Sequence, residues 1–113
     1  MRERKEIVIS GGGLAGLIAA AAFGNSGYEV LCVDPKKSKN KGPPENLDIR
    51  TTAYLQPSQT FLQKIGVWQL VNGSSAPLKI MRIIDAAGKK LTVKDFNSSD
   101  ISDTPFGWNV RNS

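Results

Sequence analysis

The stretch that most constrains this chain is Ile7 to Gly16, Ile-Val-Ile-Ser-Gly-Gly-Gly-Leu-Ala-Gly. Ile7, Val8 and Ile9 form a short β-branched run that reads as a strand buried on both faces. Gly11, Gly13 and Gly16 follow with the spacing G-x-G-x-x-G, and Leu14 to Phe23 read as an apolar, alanine-rich helix. Each glycine has its own physical task. Gly11 permits the sharp turn out of the strand, Gly13 leaves room for a pyrophosphate to approach the backbone, and Gly16 lets the helix pack close to the strand. The free amides of the first helical turn and the positive end of the helix dipole then make an anion site.

A glycine-rich turn alone is a weak signal, but here the glycines open a helix directly after a strand, as the mechanism requires. Gly27 lies just past the helix as a C-terminal cap. Tyr28 to Val33 reads as a second apolar strand ending at Asp34. Asp34 falls close to the offset of about 20 residues expected of the acid that binds a ribose hydroxyl. Together these features point to a dinucleotide site. The plainer reading is a structural glycine turn in an α/β domain, with Asp34 an ordinary strand-end residue.

Composition narrows the chemistry. The 113 residues suit one small domain, and 40% hydrophobic with 22% charged residues is a globular balance. No apolar run reaches the roughly 20 residues that span a bilayer. The start, Met1-Arg2-Glu3-Arg4-Lys5-Glu6, lacks the architecture of a secretory signal, so a cytoplasmic place is expected. The chain has no histidine, which excludes Ser-His and Cys-His pairs and histidine metal clusters within it. Its one cysteine, Cys32, reads as a small buried apolar residue. No catalytic residue and no metal site can be named, so the chemistry has to come largely from a bound cofactor. Much of the net charge of +5 sits in Lys36-Lys37-Ser38-Lys39-Asn40-Lys41. That run reads as a solvated loop or as a local attractor of phosphates or an acidic surface. It has no interleaved aromatics, and no nucleic-acid partner is expected.

Further along, Pro57 suits the first turn of a helix in which Phe61, Leu62 and Ile65 recur at helical spacing and which Gly66 ends. Val67 to Val71 add one more turn. Residues 78–96 read as a β-hairpin, with Ile80, Met81, Ile83 and Ile84 on one strand, a turn at Ala86-Ala87-Gly88-Lys89, and alternation through Leu91 to Lys94 on the other. Asn97 to Thr104 is polar. Phe106 and Trp108 then close the sequence with nothing after them to cover them. The expected fold class is α/β. It is read as the N-terminal part of a Rossmann-like domain, strand-helix-strand-helix, followed by the hairpin. Two parallel strands are too few for a doubly wound sheet, so residues 1–113 are expected to form an incomplete nucleotide domain of a longer enzyme.

Several of these stretches together resemble one family. Ile7 to Gly16 with Asp34, Asp48 to Ser58, Leu62 to Trp68, Ala76 to Asp85 with Gly88, and Gly107 to Asn112 are similar to the FAD-dependent aromatic-ring monooxygenases. The nearest branch is that of the ubiquinone-biosynthesis hydroxylases. The resemblance implies FAD binding at Gly11, Gly13, Leu14, Ala15, Gly16 and Asp34, with Arg50 lying along the cofactor. Its guanidinium would bridge phosphate and ribose oxygens; the plainer role is a surface ion pair with Asp48 or Glu45. The family usually has glutamate where Asp34 stands and often an acid where Arg111 stands, and Arg111 receives no role.

The resemblance further implies NAD(P)H as co-substrate, a small aromatic substrate such as a ubiquinone precursor, and molecular oxygen. The hairpin would belong to the substrate-side sheet. Peripheral association at the inner membrane is the alternative to a purely cytoplasmic place, and exposed strand edges imply self-association. The 113 residues alone are expected to hold FAD weakly or not at all, and not to turn over. Two rival readings stay open from the residues themselves. One is an NAD-dependent dehydrogenase on the same glycine turn, and the other is a non-enzymatic basic binding module.

Overall fold

The computed structural model describes residues 4–36 and 49–112. Lys37 to Lys41, Glu45 and Asp48, named above, lie outside the described residues. The fold is mixed α/β. Strand β1 (Ile7–Ser10) leads through the glycine loop into helix α1 (Leu14–Asn25), which returns the chain to β2 (Val30–Val33). β1 and β2 pair in parallel, Ile7 opposite Val30 and Ser10 opposite Val33. Parallel neighbours need such a crossover. Gly27, at φ +94°, turns the chain out of α1 in a conformation that suits glycine.

The expectation of a strand buried on both faces does not hold. Val8 is 62% exposed, and Leu31 and Val33 are exposed with it, while Ile7, Ile9, Val30 and Cys32 are half-buried. Ile9 faces α1, and no described element covers the opposite face. Cys32 is correspondingly half-buried rather than buried.

The middle of the chain builds a sheet that local sequence signals did not reveal. β3 (Thr51–Leu55), β4 (Ser75–Leu78) and β7 (Gly107–Arg111) form an antiparallel sheet with β7 in the centre. Thr51 pairs with Arg111 and Leu55 with Gly107, while Ser75 pairs with Val110. Gly107 is buried at the end of the β3–β7 ladder, opposite Leu55, and a Cβ there would collide with the carbonyl of Tyr54. Helix α2 (Gln56–Lys64) begins directly after β3, with Pro57 in its first turn as expected, and Gly66 follows at φ +77°. The short helix α3 (Trp68–Val71) is the expected extra turn, less its first residue.

These elements enclose a small core. Leu62, Trp68 and Val110 are buried, and Ile18, Tyr54, Ile65, Val67, Val71 and Trp108 pack against them. Trp68 and Trp108 meet edge to face with ring centroids 5.5 Å apart, a favoured aromatic geometry. Trp108 is therefore not left without cover, contrary to the sequence reading: its partner comes from α3, earlier in the chain.

The hairpin comprises β5 (Ile80–Asp85) and β6 (Thr92–Asn97), with Ile80 opposite Asn97 and Asp85 opposite Thr92. The apolar run from Leu78 is split at Lys79: Leu78 ends β4 in one sheet, and Ile80 starts β5 in another. Two backbone bonds fix the break, from Ser98 N–H to Lys79 O (2.8 Å) and from Phe106 N–H to Leu78 O (2.9 Å). Ser98 is buried within the segment read only as polar. Every residue of β5 and β6 is exposed.

Candidate functional site

The glycine loop closes the gap between β1 and α1, and its geometry follows residue by residue. Gly11 has φ +110°, a conformation that L side chains rarely adopt. Its N–H donates to Val33 O at 2.7 Å, which carries the β1–β2 ladder one step into the loop. Its carbonyl accepts a weak bond from Cys32 Sγ at 3.5 Å. A Cβ on Gly16 would collide with that same carbonyl and come within 3.5 Å of Ile9. Helix and strand thus approach as closely as their backbones allow. Gly13 differs: a Cβ there would meet open space, at φ −74° and ψ −177°, where any residue is comfortable. Nothing in the fold requires glycine at 13, so the space above it is available to a ligand.

Gly13 is also the residue that precedes α1, and no side chain caps that end. The first intrahelical bond runs from Leu17 N–H to Gly13 O at 2.9 Å. The amides ahead of it are the unsatisfied donors that a helix start presents, and the first turn carries no acidic side chain to compete with an anion.

Asp34 stands immediately after β2 and reaches back to the loop. Its Oδ2 accepts the N–H of Gly12 and its Oδ1 the N–H of Lys36, each at 2.7 Å. The Lys36 and Gly12 amides, in that order, hold the Asp34 carboxyl below its ordinary range, with a smaller contribution from the Lys36 charge. Asp34 is exposed and ionised at neutral pH, so it can also accept hydrogen bonds from a ligand. Gly12 was not singled out in the sequence. Its role shows only in three dimensions, where a Cβ would stand 3.1 Å from Asp34 Cβ.

The fold brings together Gly11, Gly13, Leu14, Ala15, Gly16 and Asp34 around one loop. Arg50 is placed differently, just ahead of β3, where its carbonyl accepts Asn112 N–H at 3.0 Å. Asn112 in turn accepts Thr52 Oγ1–H at 2.7 Å. Asn112 and Arg111 line a cavity of about 200 Å³ that extends to Leu14, the first residue of α1. Arg111, assigned no role from the sequence, thus shares this cavity with the first residue of α1. A larger apolar cavity of about 350 Å³ lies between α1 and α2, lined by Ile18, Tyr54, Pro57, Ser58, Phe61 and Leu62. Partial burial pushes the Tyr54 phenol up, so it is neutral at physiological pH. No cluster of potential metal ligands occurs among the described residues, and no helix among them is long and apolar enough to cross a membrane.

Fold and sequence both relate the chain to the flavin aromatic monooxygenases. In sequence it is 33% identical over 85 residues to the ubiquinone hydroxylase UbiL of Rhodospirillum rubrum, a match covering 71% of this chain and 18% of that protein. In structure it superposes with a TM-score of 0.71 on the p-nitrophenol 4-monooxygenase PnpA of Pseudomonas putida, at 19% identity, covering 99% of this chain and 27% of PnpA. The chain thus spans about a fifth to a quarter of the length of these proteins. No family model matches it.

Proposed function

We propose that the chain is the part of an FAD-dependent aromatic monooxygenase that holds the adenosine and pyrophosphate end of the cofactor. The observation that carries this reading is the glycine loop. Gly11 and Gly16 are glycines because the backbone demands it, whereas Gly13 faces open space beside an uncapped helix start. A dinucleotide pyrophosphate matches that geometry in size and charge. The β1–α1–β2 unit then corresponds to the opening of a Rossmann-like FAD-binding domain.

In this reading the amides of Leu14, Ala15 and Gly16 receive the pyrophosphate oxygens, and Asp34 accepts the ribose hydroxyls. Arg50 lies along the cofactor, with its main chain fixed to Asn112. Bound FAD, reduced by NAD(P)H, would supply oxygen transfer from molecular oxygen to an aromatic ring. The chain's own residues bind and orient. No residue of the chain is assigned as acid or base for the reaction, and the hairpin is assigned to the substrate side. The UbiL relationship favours a ubiquinone precursor as substrate.

Titration of flavin fluorescence against the purified chain tests this. Saturable, weak FAD binding that disappears in Gly13→Val supports the reading. Equal binding by both proteins, or no saturable binding by the parent chain, overturns it.

A further inference from the structure

We infer that Asp34 is a positioning residue for the glycine loop as well as a ligand contact, and that Gly12 is glycine for the sake of this latch. The inference rests on the dinucleotide reading of the loop. Its support is geometric. The two carboxylate oxygens each accept one main-chain N–H at 2.7 Å, Gly12 from the loop and Lys36 from the segment after β2. These are charge-assisted bonds of short length. Together they clamp the loop to the end of β2 before any ligand arrives. Each oxygen keeps a further lone-pair direction, so the same carboxylate can accept from a ribose diol without releasing the loop.

The latch also explains a residue that the G-x-G-x-x-G spacing leaves free. Position 12 lies between two motif glycines, and Gly12 is not in the left-handed region. A Cβ there would lie 3.1 Å from Asp34 Cβ and 3.5 Å from Asp34 Oδ2. An alanine would push the carboxylate aside by a few tenths of an ångström. Gly12 is thus constrained through Asp34 and not through its own backbone.

Two measurements test the latch. The first is residue-resolved amide exchange in the ligand-free chain. Asp34→Ala should speed exchange at Gly12 and Lys36 by about tenfold, as loss of a bond to a charged acceptor implies, while the paired amides of β1 and β2 change less than about twofold. Unchanged exchange at Gly12 overturns the latch whether or not FAD binds. The second is a double-mutant cycle on FAD affinity. Gly12→Ala should weaken binding about fivefold beside Asp34 and leave it unchanged in the Asp34→Ala background, since neighbours that act through one another are not additive. Equal losses in both backgrounds overturn the latch. Absence of FAD binding by the parent chain would overturn the dinucleotide reading instead, and amide exchange alone would then decide the latch.

Discussion

The β1–α1–β2 unit and the β5–β6 hairpin are both local in sequence, yet they are specified in opposite ways. In the first, single contacts fix single residues: Gly11 by its φ, Gly16 by the Gly11 carbonyl, Gly12 by Asp34. In the hairpin, a full antiparallel ladder is formed, but no residue is buried. Pairing alternates Met81, Ile83 and Phe96 on one face with Ile80, Ile84 and Val93 on the other, so both faces are substantially apolar. An ion pair, Arg82 with Asp95 at 2.7 Å, is bidentate and lies across the strands. A ladder alone leaves a two-stranded hairpin marginal in water. Tight local steric demand accompanies the loop to which the ligand is assigned under the proposed function; in the hairpin the apolar residues alternate without any of them being buried.

That contrast can be broken at several strengths. The largest expected effect is Gly16→Val. A branched side chain against the Gly11 carbonyl has nowhere to go, and overpacking of this kind costs about 3 kcal/mol or more. Loss of the cooperative thermal transition, or a Tm lowered by more than about 10 °C, is expected in calorimetry. An unchanged Tm would show that the helix–strand approach is not the constraint described. Next comes Gly13→Val, which should leave the Tm within about 2 °C while abolishing FAD binding, because the added methyls enter open space that only a ligand needs.

Asp34→Ala is expected to weaken FAD binding roughly ten- to a hundredfold, as loss of charge-assisted hydrogen bonds implies. Fluorescence titration reads this directly, and an unchanged dissociation constant would make Asp34 purely structural. The same carboxyl should titrate below the ordinary aspartate range in a carbon-detected NMR titration, since its neighbours favour the ionised form. Its folded pKa is depressed, so its contribution to stability is present above the unfolded value and is lost as pH falls through the folded one. The smallest effect is Arg82→Ala in the hairpin. This pair is exposed, and breaking it should shift the Tm by no more than about 2 °C. A larger shift would mean that the hairpin owes its form to the ion pair rather than to its cross-strand ladder.

Legibility in the sequence followed the range of the interactions. The first strand, the glycine turn, α1 and the second strand were readable because their signals lie within about 30 contiguous residues. Pro57 marked the start of α2, and apolar alternation marked the hairpin, for the same reason. β3 and β7 were not readable. They find each other across about 55 residues, as Tyr54 opposite Trp108 shows, and neither carries a turn signal pointing to the other. β4 includes Pro77, a residue that usually argues against a strand; it is tolerated because β4 is an edge, paired only with β7. At the site, the glycines and Asp34 were readable from spacing. The bond from Gly12 to Asp34 was not, because nothing in a linear motif reports which amide an acid will meet.

The break at Lys79 carries a consequence of parity. One residue separates the last position of β4 from the first of β5; its carbonyl accepts Ser98 N–H, and that of Leu78 before it accepts Phe106 N–H. Side chains alternate along a strand with period two, so the residue count at such a junction sets which side of the next ribbon points which way. Inserting one residue at 79 would turn the hairpin over, presenting Ile80, Arg82 and Ile84 where Met81 and Ile83 now stand, without altering a single cross-strand partner. Inserting two would restore the original presentation at a shifted height. Length at this one joint acts as a selector between two chemically different surfaces, which composition within the hairpin cannot do.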